Sequence, residues 1–153
     1  MEEKSVEVTL SLGSNLGDKE QNVTKAIALI DEKIGRVVCV SDYYYSEPWG
    51  YSSLNSFVNC CCIVKSDLNV NDILVHTQAI ELTIGRKEKK KNGYEDRLID
   101  IDIIFYGDQL VDSDKLFIPH KNFRKRDFVL LPMNQLSNKI DPETFITINQ
   151  FTK

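Results

Sequence analysis

The chain has 153 residues, the usual size of one domain, and a formal net charge of −4. Its 42% of hydrophobic and 27% of charged residues are typical of a globular protein, so disordered and collagen-like classes are excluded. The acidic balance disfavours nucleic-acid binding, because a polyanion needs a basic surface. We therefore predict a single globular domain over residues 1–153 with no nucleic-acid partner.

The chain opens with a strand and a helix. Residues 6–12 alternate between apolar and polar side chains, which predicts a half-buried strand. The sequence GSNLG at 13–17 ends this strand. Asp18 and Gln21 then resemble a capping box, and apolar residues at helical spacing predict a helix over 19–34.

Two further strands and a second helix follow. Segments 37–45 and 57–64 are rich in β-branched, aromatic and cysteine residues, which favours strands, and a polar loop separates them. Asn69 with Asp72 is typical of a helix start. The apolar stripe that follows predicts a second helix, which ends at Gly85.

The last third of the chain contains a lysine-rich stretch and one clear strand. Residues 86–97 lack apolar periodicity and carry four lysines, so we expect a mobile loop there. Residues 98–106 predict a strand, and residues 128–136 predict a short helical segment. The order strand, helix, strand, strand, helix, strand is the split pattern of ferredoxin-like α+β folds, with a central mostly antiparallel sheet.

The cysteines and the N terminus indicate a cytoplasmic protein. Cys60, Cys61 and Cys62 are consecutive in an apolar segment, which fits neither a disulfide framework nor the paired spacing of a zinc site. We expect small, reduced core residues. The charged residues 1–4 do not form a secretory signal, and no apolar run is long enough to span a bilayer, so we predict no membrane association.

Two aspartates in the 98–106 strand are the first candidate site. Because side chains alternate along a strand, Asp100 and Asp102 lie on one face, with their β-carbons ~7 Å apart. Two carboxylates at this spacing suit one or two Mg²⁺ ions. The alternative is a solvent-facing strand whose polar face is acidic.

Cations near the aspartates favour phosphate chemistry. Arg97 lies just upstream, and His120, Arg124, Lys125 and Arg126 lie downstream. Phosphoryl transfer depends on metal ions and on cationic clamps, and the chain supplies candidates for both. It has no phosphate-binding GxxxxGK[ST] loop. Alternatively, His120 is a surface residue and the lysine run is a solvated loop. Trp49 and Phe57 are either core aromatics or stack on a flat ligand.

Short motifs along most of the chain share the order and spacing of one family. They are residues 12–18 (LGSNLGD), 46–50 (SEPWG), 57–59 (FVN), 78–86 (QAIELTIGR), 97–102 (RLIDID), 119–120 (PH) and 126–130 (RDFVL). Together they resemble the 6-hydroxymethyl-7,8-dihydropterin pyrophosphokinase family from about residue 6 to residue 136.

This resemblance implies a three-layer, monomeric, ferredoxin-like enzyme of folate biosynthesis. Its partners would be ATP and a reduced pterin, and it would transfer diphosphate from ATP to the pterin hydroxymethyl group, releasing AMP. Two Mg²⁺ ions would be held by Asp100 and Asp102. The resemblance further implies a loop over 86–97 that becomes ordered only when both substrates are bound.

The resemblance also assigns the individual site residues. The catalytic residues would be Arg86, Arg97, Asp100, Asp102 and Arg126. ATP would contact Gln78, Glu81, Arg86, Lys89, Arg97, Ile103, Lys115, His120 and Arg126. The pterin would contact Ser46, Pro48, Trp49, Phe57, Asn59, Asp100 and Phe128.

The chain departs from the family pattern before the aspartates. Many members have a tryptophan shortly before the Pro-Arg that precedes the aspartates, whereas residues 92–97 read NGYEDR, with altered length and no proline. We offer Tyr94 as the replacement aromatic residue. Glu88 stands where a basic residue is common, so Lys89, Lys90 or Lys91 would contact phosphate instead.

Two rival functions share some of these features. A Mg²⁺-dependent nuclease or nucleotidyl transferase would use the same aspartate pair, but the acidic balance argues against it. A ferredoxin-like module that binds small molecules or RNA without catalysis would present aromatics on its sheet, whereas this predicted sheet face carries carboxylates.

Overall fold

The computed structural model describes residues 5–47, 56–85 and 97–152. None of the helices in these ranges is long and apolar enough to cross a membrane. The elements, in chain order, are β1 (Val6–Ser14), α1 (Lys19–Lys33), β2 (Arg36–Val40), β3 (Tyr44–Ser46), β4 (Phe57–Ser66), α2 (Val70–Ile84), β5 (Asp100–Tyr106), β6 (Val111–Asp112), β7 (Phe117–Ile118), a 3₁₀ turn (Phe123–Lys125), α3 (Asp127–Leu136) and a second 3₁₀ turn (Ile148–Phe151).

Local side-chain hydrogen bonds begin both long helices, as predicted. Asp18 accepts a hydrogen bond from the Gln21 amide at 3.2 Å, and Asn69 accepts one from the Asp72 amide at 2.9 Å. Each bond satisfies an amide that has no partner within the helix. Gly85 ends α2 with a φ of 132°, a conformation that favours glycine.

The described strands form one central sheet in the order β2-β4-β1-β5, and β3 extends it by pairing with β4. Every pairing in this sheet is antiparallel. The prediction of an α+β protein with a mostly antiparallel central sheet is therefore confirmed. A separate hairpin of β6 and β7 was not predicted.

The four predicted strands have different bounds in the structure. Those expected over 6–12 and 57–64 each run two residues further, to Ser14 and Ser66, so residues 13 and 14 continue β1 and do not end it. The strand expected over 37–45 is two strands, β2 and β3, with residues 41–43 between them. Ser41 still bonds to β4, because its amide donates to the Cys61 carbonyl, but the Cys61 amide donates to the Ser41 hydroxyl at 2.9 Å. The strand expected from residue 98 begins at Asp100. Three residues earlier, Arg97 bonds to the loop after β1, since its amide donates to the Asn15 side chain at 2.7 Å.

Two apolar clusters lie on the two faces of the sheet. The first joins α1 and α2 to the sheet and includes Cys60 and Cys62, and the second joins α3 and includes Cys61. Neighbouring cysteines thus face opposite sides, as strand geometry requires. All four cysteines are free, and these three are fully buried, as expected for small core residues.

Candidate active site

The strand register places Asn59, Gly13 and Asp100 in one row across β4, β1 and β5. In the next row, Ser11 on β1 is the direct partner of Asp102. Since neighbouring strands lie about 4.8 Å apart, Asn59 and Asp100 are about 10 Å apart with a glycine between them. The two aspartates therefore stand beside small residues, which leave open space on this face of the sheet.

A cavity of about 490 Å³ covers this part of the sheet. Every site residue that the family resemblance assigned and that the structure describes lines it: Ser46, Phe57, Asn59, Gln78, Glu81, Arg97, Asp100, Asp102, Ile103, Lys115, His120, Arg126 and Phe128. Four predicted residues, Pro48, Trp49, Arg86 and Lys89, lie outside the described residues, as do Glu88, Tyr94, Lys90 and Lys91. The motifs thus meet at one place.

Each aspartate of β5 faces cationic side chains. Arg97 Nη1 contacts Asp100 Oδ1 at 2.9 Å, and Arg126 Nη1 lies 3.8 Å from Asp102 Oδ2. The two arginine side chains are only 12% and 11% exposed, while the carboxylates keep 31% and 30% of their surface. The arginines are thus largely enclosed and the carboxylates are partly exposed to the cavity, so the arrangement suits an anionic ligand that is accompanied by divalent cations.

Asp102 is in an unfavourable place for a negative charge. Burial and the neighbouring Asp100 carboxylate raise the pKa of Asp102 to about 8, with Glu81 adding to the effect, and the charges of Arg126 and Arg97 only partly oppose them. Glu81 is itself buried and accepts a hydrogen bond from the Ile101 amide at 2.9 Å. Asp102 therefore holds a proton near neutral pH until a cation replaces it.

His120 is a neutral donor in this site. Burial and the nearby Arg126 charge lower the pKa of His120 to about 4, although Asp100 opposes them. The Asn122 amide donates to His120 Nδ1 at 3.2 Å, so the neutral ring carries its proton on Nε2. That nitrogen lies 3.8 Å from Asp102 Oδ2, and it can donate a hydrogen bond to an anionic oxygen in the cavity.

The donor set fits a hard divalent cation. The carboxylates of Asp100 and Asp102 offer oxygen atoms, and the raised pKa of Asp102 indicates that a positive charge would stabilise its ionised form. The described residues contain no group of three or more potential metal ligands. This is compatible with Mg²⁺, which is commonly held by one or two carboxylates together with substrate phosphates.

The other end of the cavity presents a polar edge and an aromatic ring. Asn59 Nδ2 donates to the Tyr44 carbonyl at 3.0 Å and to the Ser46 hydroxyl at 2.7 Å, which fixes the amide plane. A β-carbon at Gly13 would lie 3.1 Å from Asn59 Oδ1 and 3.4 Å from Phe57 Cδ1. Glycine lets the Asn59 amide oxygen lie this close to the sheet, whereas the Phe57 ring would only be in van der Waals contact with a β-carbon. The amide oxygen of Asn59 is thus held in a fixed position.

Several cavity residues were not predicted. Those are Ser11, Leu12, Gly13, Glu47, Leu74, Thr77, Ile101, Leu116, Phe117 and Lys121. Phe117 and Lys121 belong to the region of the β6–β7 hairpin, and Lys121 Nζ lies 5.4 Å from the Phe117 ring centre. Their short strands gave no periodic signal. Conversely, Arg124 and Lys125, which the sequence grouped with the phosphate cations, are absent from the described lining of the cavity.

Comparison with known proteins identifies the family. The family model for 7,8-dihydro-6-hydroxymethylpterin-pyrophosphokinase (HPPK) matches residues 9–138. The chain belongs to this family. It is 41% identical over 138 residues to the 2-amino-4-hydroxy-6-hydroxymethyldihydropteridine pyrophosphokinase of Porphyromonas gingivalis, covering 89% of this chain and 94% of that relative.

Other similarities extend from bacteria to a longer eukaryotic protein. The Aquifex aeolicus enzyme of the same name is 35% identical over 88% of this chain and 83% of its own length. A crystal structure of Plasmodium falciparum HPPK-DHPS, a triple mutant with SDX-DHP, superposes with a TM-score of 0.76 at 17% identity. It covers 98% of this chain, which spans only 44% of that longer chain. This likeness shows a common fold.

Proposed function

We propose that the cavity over β1, β4 and β5 transfers diphosphate from ATP to the hydroxymethyl group of 6-hydroxymethyl-7,8-dihydropterin. The products are AMP and the pterin diphosphate, and the reaction belongs to folate biosynthesis. One observation carries the assignment to this cavity: two open carboxylates, Asp100 and Asp102, face Arg97, Arg126 and His120 within it. Family membership and the names of the relatives supply the substrates.

The nucleotide would occupy the end of the cavity between α2 and the β6–β7 hairpin. Gln78 and Glu81 line the cavity from α2, and Ile103 and Lys115 also line it. In this proposal Ile103 and Lys115 would lie near the adenosine. Arg97 and Arg126 hold the triphosphate. The Nε2–H group of His120 donates a hydrogen bond to a phosphate oxygen. Arg86 and Lys89 remain predictions for the same role.

The pterin would occupy the end of the cavity that contains Asn59. Its ring lies between the rings of Phe57 and Phe128, and the fixed amide of Asn59 forms hydrogen bonds with its polar edge. Ser46 closes the wall, and Pro48 and Trp49 remain predictions there. Because Asn59 and Asp100 share one row of the sheet, a ring bound at Asn59 directs its substituent towards Asp100.

Asp100 and Asp102 would hold two Mg²⁺ ions together with the triphosphate. These ions supply charge neutralisation at the transferring phosphate oxygens. The pterin hydroxyl oxygen bonds to the β-phosphorus of ATP, the bond from that phosphorus to the α–β bridging oxygen breaks, and AMP leaves with the bridging oxygen. Asp100 accepts the hydroxyl proton as the new bond forms. Arg97 and Arg126 orient the phosphates for this in-line attack.

The remaining assignments are consistent with this activity. The strand order β2-β4-β1-β5, with helices against both faces, supports a three-layer ferredoxin-like fold in a single domain over 1–153. A net charge of −4 supports the absence of a nucleic-acid partner. We further propose a monomer in the cytoplasm that does not associate with membranes.

The test is to separate the nucleotide products of the purified protein by chromatography. We expect AMP to form only when ATP, the hydroxymethyl pterin and Mg²⁺ are all supplied, and its amount to equal that of the pterin diphosphate. ADP as the product would indicate an ordinary kinase and contradict the proposal. AMP formed without pterin would indicate hydrolysis of the nucleotide, and cleavage of a polynucleotide would favour the nuclease alternative.

A further inference from the structure

Asp141 is a fully buried carboxylate far from the aspartate pair in sequence. Its Oδ2 accepts hydrogen bonds from Arg124 Nε at 2.6 Å and from the Thr144 hydroxyl at 2.9 Å, and its Oδ1 accepts one from the Glu143 amide at 2.9 Å. Burial would raise its pKa, but these bonds, led by that of Arg124, hold the pKa below its usual value. Asp141 is thus ionised and forms an ion pair with Arg124.

Arg124 is fixed on three sides. Beyond Asp141, its Nη2 contacts Glu143 Oε1 at 2.9 Å, and its guanidinium lies 4.6 Å from the centre of the Phe123 ring. Phe123 is fully buried and packs edge-on against Phe105 of β5 at 5.2 Å and against Phe151 at 6.1 Å. The 3₁₀ turn is therefore anchored both to the sheet and to the C-terminal segment.

The anchored turn carries two of the phosphate-site residues at its ends. The Phe123 amide donates to the His120 carbonyl at 3.3 Å, and the Arg126 amide donates to the Phe123 carbonyl at 3.2 Å. His120 itself is tied to β5, because its amide donates to the Ile104 carbonyl at 3.1 Å. A shift of Arg124 would therefore move the backbone of Arg126 relative to Asp102.

The anchoring residues come from beyond the matched part of the chain. The family model ends at residue 138, whereas Asp141, Glu143 and Phe151 follow it. The segment is itself ordered by backbone bonds, since the Asp141 amide donates to the Ile146 carbonyl and the Ile148 amide to the Lys139 carbonyl. A defined structure after residue 138 thus supports the turn that carries the nucleotide-site cations.

We propose that the Arg124–Asp141 ion pair is a positioning device that sets Arg126 and His120 against the triphosphate of ATP. Neither partner lines the described cavity, so the pair acts through the 120–126 turn and not by contact with substrate. The proposal rests on the function proposed above. It assigns a role in nucleotide binding to the chain after residue 138.

Asp141→Asn distinguishes a positioning role from a purely electrostatic one, because the two predict changes of opposite sign in the affinity for the nucleotide. Removing a negative charge strengthens the attraction for an anionic nucleotide, whereas loosening the turn weakens binding. We expect Asp141→Asn to bind Mg²⁺ with a non-hydrolysable ATP analogue about tenfold more weakly by calorimetry, with kcat lowered by on the order of ten- to a hundredfold. Affinity equal to or above that of the wild type would overturn the proposal.

Lys125→Gln is the matched control for Arg124→Gln, because each removes one positive charge from the same turn. Lys125 is exposed and has no described contact with the cavity, so we expect its variant to bind within twofold of the wild type. Arg124→Gln should lose about tenfold, and Arg124→Lys should recover part of the loss. The double variant that combines Arg124→Gln with Asp141→Asn should bind the nucleotide no more weakly than the single variant with the lower affinity. Equal losses at Lys125 and Arg124 would contradict the positioning role.

Melting temperatures identify any variant that fails to fold. If Asp141→Asn is unfolded, Glu143→Gln tests the same guanidinium from its exposed side, with binding expected to weaken about two- to threefold. Unchanged binding in a folded Glu143→Gln protein would then overturn the proposal. A wild-type protein that does not bind the analogue would overturn the proposed function and this inference together. Wild-type binding without any effect at Asp141 would overturn the inference alone.

Discussion

The carboxylates of Asp100 and Asp102 share one face of β5 but differ in how closely a cation approaches them. Asp100 is in contact with Arg97 at 2.9 Å, whereas the contacts of Asp102 with the side-chain nitrogens of Arg126 and His120 are at 3.8 Å. Asp102 is therefore the carboxylate with more to gain from a divalent ion. Several testable differences between variants arise from this asymmetry.

Replacing Asp102 with alanine should abolish most activity and leave the fold intact. The contacts of this carboxylate with Arg126 and His120 are at 3.8 Å, so its loss breaks only a weak ion pair with Arg126 and no hydrogen bond, but it removes a ligand for the ions that stabilise the transferring phosphate. We expect kcat to fall on the order of 10³-fold, measured by AMP release, with the melting temperature unchanged or higher.

Asp67→Ala is the control for this substitution. Asp67 is an exposed aspartate that directly follows β4, and Phe57, which lines the cavity, is at the other end of that strand. Its variant should retain wild-type activity. If Asp102→Ala retains turnover within a few-fold of the wild type, the assignment of Asp102 as a metal ligand is wrong.

The raised pKa of Asp102 predicts how stability without ligands depends on pH. The folded protein holds a proton on Asp102 up to about pH 8, while the unfolded chain loses it near 3.8, so this residue makes unfolding easier as pH rises through that window. Asp102→Asn lacks the effect. Its free energy of unfolding, relative to the wild type, should therefore increase between pH 4 and pH 8 by up to a few kcal/mol.

Thermal denaturation of both proteins at pH 5 and pH 8.5 measures this difference. Each kcal/mol of unfolding free energy should change the melting temperature by about 2–4 °C. Mg²⁺ with the ATP analogue should stabilise the wild type at pH 8.5 more than it stabilises Asp102→Asn. A difference in melting temperature that is the same at both pH values would show that Asp102 is ionised in the free protein.

His120 should give the opposite pH dependence. Its pKa of about 4 in the folded protein lies below the ordinary 6.5, so the unfolded chain binds a proton that the folded protein excludes, and stability falls as pH drops from 6.5 to 4. His120→Gln removes this penalty, which amounts to at most about 3 kcal/mol. Urea denaturation of both proteins at pH 7 and pH 4.5 should show the variant gaining on the wild type in acid. A constant gap would mean that His120 titrates normally.

Gly13→Ala should affect the pterin more than the nucleotide. The new methyl group would lie 3.1 Å from Asn59 Oδ1, so the amide must shift by a few tenths of an ångström, and it would touch Phe57 Cδ1 at 3.4 Å. We expect the KM for the pterin to rise about tenfold and stability to fall by about 1 kcal/mol. The KM for ATP, measured with the same preparation, serves as the internal control and should change less than twofold. An equal rise in both constants would show a general distortion of the site.

Features set by neighbouring residues were predictable from the sequence. The caps at Asp18 and Asn69 are bonds across one helical turn, and the common face of Asp100 and Asp102 follows from the two-residue period of a strand. The family resemblance, based on the order and spacing of the short motifs, then indicated which residues line one cavity. Each of these predictions needs only local geometry or the order of the motifs.

Features set by long-range pairing were not predictable in the same way. The position of Gly13 between Asn59 and Asp100 depends on the register of three strands that are distant in sequence. The two-residue strands β6 and β7 are too short for any periodic signal. Arg124 looked like a phosphate-binding cation until the structure showed its bond to Asp141.

An isotope experiment tests the central claim, attack of the pterin hydroxyl on the β-phosphorus, most directly. The pterin is prepared with ¹⁸O in its hydroxymethyl group and converted with ATP and Mg²⁺, and the products are examined by ³¹P NMR. We predict AMP without label, and a pterin diphosphate whose isotope shift falls on the phosphorus next to the methylene oxygen. Loss of the label, a pterin monophosphate with ADP, or label in the nucleotide would contradict the account.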